Sequence, residues 1–229
     1  MNKEKNIMIL MPILLVIMAI LGYLNVTNTN TDSIRFKNEY EALNNKKEYT
    51  KVNIDKDNNI KYSSYKEIFD VINNKTGIIY LGYSECNECR FAIETLIKVL
   101  KDKKDSNTIY YLDIHNDLDS YVVDDNKLVY NKDSKGNEIK GTDNYFKLLR
   151  LLDKNLNDYV IYLDDKKYEV GEKRIYLPSI IFIKEGKVLG ITYASNDMDY
   201  NDLYSIYEDY ISDINSSTCD AKSTSNTPC

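Results

Sequence analysis

The chain has 229 residues, enough for one sizeable domain with appendages. Lys and Arg number 30 against 36 Asp and Glu, a formal net charge of -6, and the charges are interleaved with no basic block. That balance argues against nucleic-acid or anionic-lipid binding as the main role.

Residues 1–6 form a short N-terminus containing Lys3 and Lys5, and residues 7–24 then run without a charge, broken only by Pro12 and Gly22. That run is close to the roughly 20 residues that cross a bilayer. With lysines ahead of it, the positive-inside rule places the N-terminus in the cytoplasm and the rest of the chain outside. The run is therefore expected to be a single-pass membrane anchor. A cleaved signal, leaving a secreted domain, is the alternative, although no small-x-small site follows it. Residues 25–32 read as a polar linker.

The region 33–214 reads as one domain. Ser33 to Asn44 has helical spacing, Thr50–Ile54 alternates and predicts a strand, and 55–59 is a turn cluster. Ser63 or Ser64 caps a helix through Ile72, with Glu67 placed as a capping-box partner for Ser64. Gly77–Tyr83 is an apolar strand, followed directly by Cys86-Asn87-Glu88-Cys89 at the start of an amphipathic helix carrying Phe91, Ile93, Leu96, Ile97 and Leu100. Thr108–Ile114 is a second strand, so the three elements make a βαβ unit with a parallel pair.

The segment 115–175 is polar. It holds a hairpin pattern at 121–123 and 127–130, a helix capped by Thr142 or Asp143, and short strands at 159–163 and 167–170. Tyr176–Ile183 is a strand opened by Pro178, turning at 184–187 into a return strand at 188–192. A helix from about Asp199 to Ile214 closes the domain, and 215–229 is a polar, Ser/Thr-rich tail with Cys219 and Cys229.

The chemistry resides in the cysteines. Two cysteines two residues apart at a helix start can close a disulfide, and the unsatisfied N–H groups and positive dipole end stabilise a thiolate on the first sulfur. Cys86 is the expected nucleophile and Cys89 the resolving thiol. Glu85 and Glu88 oppose the dipole, so the site is expected to be more reducing than a dedicated oxidant near about −120 mV. All four cysteines follow the apolar run and would share an oxidising compartment. Disulfides 86–89 and 219–229 fit, although three pairings are formally possible.

A fixed structural disulfide or half of a zinc site is the bland alternative for Cys86 and Cys89. Zinc wants four ligands, and His115 and the tail cysteines are poor candidates, so no metal is expected. His115 reads as a surface polar residue. For Cys219 and Cys229 the choice lies between a tail disulfide, stabilising by roughly 3 kcal/mol, and a second dithiol that passes electrons to Cys86 and Cys89.

Tyr80-Leu-Gly-Tyr-Ser-Glu-Cys-Asn-Glu-Cys-Arg90 and Leu177-Pro-Ser-Ile-Ile-Phe-Ile-Lys-Glu-Gly-Lys-Val188 together resemble the thioredoxin-like superfamily. More narrowly, with Tyr62–Phe69 and Glu172–Pro178, the chain looks like exported thioredoxin-like proteins of low-GC Gram-positive bacteria, including bacteriocin transport accessory proteins. The resemblance implies an α/β fold with a central mixed sheet flanked by helices and an insertion at about 115–175. It implies a cis Leu177–Pro178 bond facing the cysteines, with the Leu177 backbone pairing to a substrate strand. It also implies a thiol–disulfide oxidoreductase acting on exported proteins or peptides, with a membrane or extracellular redox partner and no cofactor beyond the Cys86–Cys89 disulfide. The alternative is a non-catalytic accessory protein that holds an exported peptide or partner through the Leu177–Pro178 edge. Three positions depart from the thioredoxin pattern. The dipeptide between the cysteines is Asn-Glu, Tyr80 stands where thioredoxins keep a buried Asp, and Ser84-Glu85 replaces the usual Trp region.

Overall fold

The computed structural model describes residues 15–20, 32–195 and 197–216. In chain order the domain begins with α1 (32–41), β1 (Ile60–Tyr62), α2 (Tyr65–Asn74), β2 (Gly77–Leu81), α3 (Asn87–Lys103) and β3 (Ile109–Leu112). Then come β4 (Tyr121–Asp124), β5 (Lys127–Tyr130), α4 (Asp143–Leu152), β6 (Asn157–Leu163), β7 (Lys166–Arg174), β8 (Ser179–Lys184), β9 (Lys187–Tyr193) and α5 (Tyr200–Asn215).

A five-stranded mixed sheet has the order β1-β3-β2-β8-β9. β1, β3 and β2 are parallel, while β8 runs antiparallel to β2 and β9 antiparallel to β8. Strand alternation sends side chains to two cores. Ile78, Tyr80, Ile109, Tyr111, Ile180 and Phe182 meet α1, α3 and α5 on one face. Ile79, Leu81, Ile181 and Ile183 meet α2 and α4 on the other. Covered on both faces, β2 and β8 read as near-continuous apolar runs. The molecule is thus a mixed sheet between two helical layers.

Local signals explain the helix starts. Ser64 accepts from the Glu67 amide and Glu67 reaches back to the Ser64 amide, a complete capping box on α2. Thr142 takes the cap of α4, accepting from the Tyr145 amide. The β8–β9 turn places Glu185 and Gly186 at φ 50° and 73°, the left-handed pair a two-residue hairpin requires. A Cβ at Gly186 would run into the Asn73 carbonyl.

The expected strand at Thr50–Ile54 is not formed. Val52 and Ile54 are buried as its alternation foresaw, but the backbone pairs with side chains instead of a strand. The amides of Thr50, Val52, Asn53 and Ile54 donate to Asn87, Asn44, Glu94 and Glu41 respectively. With those donors satisfied, the sheet edge is taken by Ile60–Tyr62, seated on β3.

The segment 115–175 has two characters. Tyr145, Leu148, Leu149 and Leu152 of α4 belong to the core that α2 caps. The hairpins β4–β5 and β6–β7 form two separate two-stranded sheets. β7 extends past the expected 167–170 to Arg174, through Gly171 at φ 86°. β8 begins just after Pro178, not before it.

Of the apolar run 7–24, only 15–20 are described, and these are helical. No helix among the described residues is long and apolar enough to cross a membrane. The remainder of the expected anchor, the linker up to residue 31, and the tail with Cys219 and Cys229 lie outside the described residues.

Candidate active site

The topology gathers the site. Leu81 lies beside both Leu112 and Ser179, so the C-terminal ends of β2 and β3 and the start of β8 share one end of the sheet. The loops leaving that end carry Cys86, His115 and the Leu177–Pro178 pair. Clefts at the carboxyl ends of parallel strands are where open α/β sheets place ligands.

Cys86 and Cys89 form a disulfide with Cα atoms 5.1 Å apart. Cys86 is the N-cap of α3, in extended backbone, and its Sγ accepts from the Cys89 amide at 3.1 Å. An N–H therefore points at the sulfur where a thiolate would develop. Against it stands Glu88, whose Oε2 is 3.6 Å from Cys86 Sγ. A carboxylate so close disfavours a thiolate. Cys86 keeps 8% of its surface exposed and Cys89 none.

The Leu177–Pro178 peptide is cis. Leu177, Cys86, Tyr83, Glu85, Asn87 and Glu88 border one cleft of about 450 Å³, together with His115, Leu118, Arg174, Ile175 and Tyr176. A larger cleft of about 810 Å³ on the flank of α3 contains no cysteine.

Three features of the surroundings were not read from the sequence. Arg90, the residue after Cys89, is 0% exposed. Its guanidinium donates to the carbonyls of Tyr40, Thr50 and Ser84 and to Asn44 Oδ1, at 2.5–3.1 Å. Asn87, inside the C-x-x-C, accepts from the Thr50 amide and donates to the Glu48 carbonyl. Together they fasten the chain between α1 and β1 over the first turn of α3. The only advance signal was an arginine at an inward position of an amphipathic helix.

The second feature is the wall formed by the segment 115–175. Arg174 donates to both the carbonyl and Oδ1 of Asp119, at 2.7 and 3.1 Å, and its guanidinium lies 4.2 Å over the Tyr159 ring. Asp119 is 1% exposed, and burial pushes its carboxyl up while Arg174 pulls it down. This pair joins the roots of the two hairpins and fixes the cleft's outer wall.

The third is His115. It was expected to be an ordinary surface residue, and it is exposed, yet it borders the same cleft as Cys86. Its ring stacks on Tyr83 with centroids 4.6 Å apart, and Nδ1 is 2.6 Å from Asp113 Oδ1.

Tyr80 sits beneath the cysteines with no exposure. Its hydroxyl donates to the Cys89 carbonyl at 3.2 Å and lies 2.7 Å from the Tyr40 hydroxyl. Burial holds both phenols well above their usual range. Tyr80 therefore orders the Cys89 backbone and is no proton acceptor for its sulfur. Among the described residues, no cluster of His, Cys, Asp and Glu could hold a metal ion.

No family profile and no curated protein matches this sequence. The class that fold and site define is thus a mixed α/β domain with a dithiol pair at a helix N-terminus.

Proposed function

We propose that the chain is a thioredoxin-like thiol–disulfide oxidoreductase, anchored by residues 7–24 and acting outside the cytoplasm on the disulfides or thiols of exported proteins and peptides. The observation that carries this reading is the juxtaposition of an N-capping Cys86, disulfide-bonded to Cys89, with Leu177 in one cleft. The strand order and the antiparallel β8–β9 hairpin following Pro178 support the thioredoxin-like part.

In the reducing direction, the Cys86 thiolate attacks a substrate disulfide and forms a mixed disulfide, releasing one substrate thiolate. Cys89 then attacks Cys86 Sγ, which restores the 86–89 disulfide and releases the second thiol. The oxidising direction is the reverse. An extended substrate segment would lie along the Leu177 backbone, within reach of Cys86.

The test is disulfide reduction in insulin, or oxidation of a cysteine peptide, by the full-length protein beside its Cys86→Ser variant. Turnover in the parent and its loss in the variant is the expected result. Partner capture by the variant, with no turnover in either protein, would instead define an accessory binding protein.

A further inference from the structure

We infer that His115 is the proton acceptor and donor for Cys86, an inference that rests on the thiol chemistry proposed above. His115 is the only histidine in the chain. It follows β3, while Cys86 follows β2, and the pairing of these parallel strands brings the two loops to one cleft. Nδ1 lies 2.6 Å from Asp113 Oδ1. A carboxylate only accepts, so the neutral ring carries its proton on Nδ1 and leaves Nε2 as a base. Nε2 has no hydrogen-bond partner among the described residues, and the stack on Tyr83 fixes the ring plane.

The groups facing His115 favour this assignment. Asp113 lies on its own loop, and the same cleft is bordered by Tyr83 and Glu85 of the β2–α3 loop, Glu88 of α3, and Arg174 and Tyr176 at the end of β7 and just beyond it. Three carboxylates penalise a lone thiolate but stabilise an imidazolium, while Arg174 does the reverse and is already engaged with Asp119. A thiolate–imidazolium pair is net neutral and fits this surround better than a bare thiolate.

The step balances. In the dithiol form His115 Nε2 takes the Cys86 proton, and the thiolate attacks the substrate disulfide. The Cys86–substrate S–S bond forms as the substrate S–S bond breaks. The departing substrate thiolate takes the proton from the imidazolium. Cys89 then attacks Cys86 Sγ, the Cys86–substrate S–S bond breaks, and the Cys89 proton leaves with the second substrate thiol, so that the substrate disulfide is reduced by the protein's two thiols.

The test is the pH profile of Cys86 alkylation by iodoacetamide in the reduced full-length protein, with Cys89, Cys219 and Cys229 mapped separately by mass spectrometry. The expected wild-type profile has a low-pH step. His115→Gln loses that step and reacts several-fold more slowly at pH 7, since the thiolate is the reacting form, and Asp113→Asn falls between. Should His115→Gln misfold, ¹⁵N signals of the single histidine in the dithiol protein and in Cys86→Ser decide the matter. They show a ring that holds its proton to higher pH where the Cys86 thiol is present than in Cys86→Ser. Superimposable profiles, or an identical ring charge in both proteins, overturn the inference. Both readouts follow a proton on Cys86 and not turnover, so a shifted profile in a protein inert toward insulin sinks the oxidoreductase reading alone. A pair that dithiothreitol cannot open sinks both.

Discussion

Tyr80 shows how one residue sets the character of a site. At position 80 this chain buries a phenol, hydrogen-bonded to Tyr40 and to the Cys89 carbonyl. It packs among Phe36, Tyr40 and Tyr111, stacked on the last with ring centroids 5.4 Å apart. Removing the hydroxyl in Tyr80→Phe strands the buried Tyr40 hydroxyl, at a cost of about 1–3 kcal/mol, to be read from the denaturation midpoint. The pH profile of Cys86 alkylation in that variant should not move, because the phenol takes no part in proton transfer. The substitution at residue 80 was visible in the sequence. Its partners were not, since Tyr40 and Tyr80 are forty positions apart and only folding makes them neighbours.

At the scale of elements, the local signals were the readable ones. The Ser64–Glu67 pattern, the C-x-x-C at a helix start and the Glu-Gly turn after β8 each depend on a few adjacent residues, and each stands where it was expected. Ser64→Ala removes half of a capping box and should cost about 1 kcal/mol, measured by thermal or urea unfolding. The other half survives, because alanine keeps the amide whose hydrogen bond holds Glu67 below the usual carboxylate range. The Glu67 contribution is present above the ordinary carboxylate pKa and lost as pH falls through the depressed one. Thr50–Ile54 misled because alternation reports burial, not the partner of the backbone. His115 and Arg174 were illegible as site residues for a related reason. Each belongs to a loop or strand end whose place is set by the pairing of distant strands.

The whole molecule carries its tyrosines as a structural class. Of the 21 in the chain, Tyr40, Tyr80, Tyr111, Tyr145 and Tyr207 are at most 2% exposed, and burial raises the phenol of each. A group raised in the fold gives its full stabilisation below its unfolded pKa and loses it as pH climbs toward the folded one. Above the unfolded phenol value of about 10, stability should fall by about 1.4 kcal/mol per pH unit for each of these residues. Tyrosinate absorbance should therefore rise gradually for exposed residues such as Tyr162 and then in a sharp step, for the buried ones, that coincides with loss of secondary structure. Full ionisation of all the tyrosines in a still-folded protein would contradict it. The parallel βαβ unit and the β8–β9 hairpin were legible in the element order, whereas the mixed sheet flanked by helices was an expectation that came from the resemblance. The two added hairpins were readable as hairpins, but not as a wall of the cleft, because the Asp119–Arg174 contact joins residues 55 positions apart.

The unequal accessibility of the two sulfurs has a further consequence. With Cys89 sealed and a single face of Cys86 open, any bulky reagent arriving from solution forms its first covalent adduct on the same atom. Departure reverses that route. The pair behaves as a one-door lock, in which order of entry is dictated by shielding, whatever the relative nucleophilicity of the two thiols.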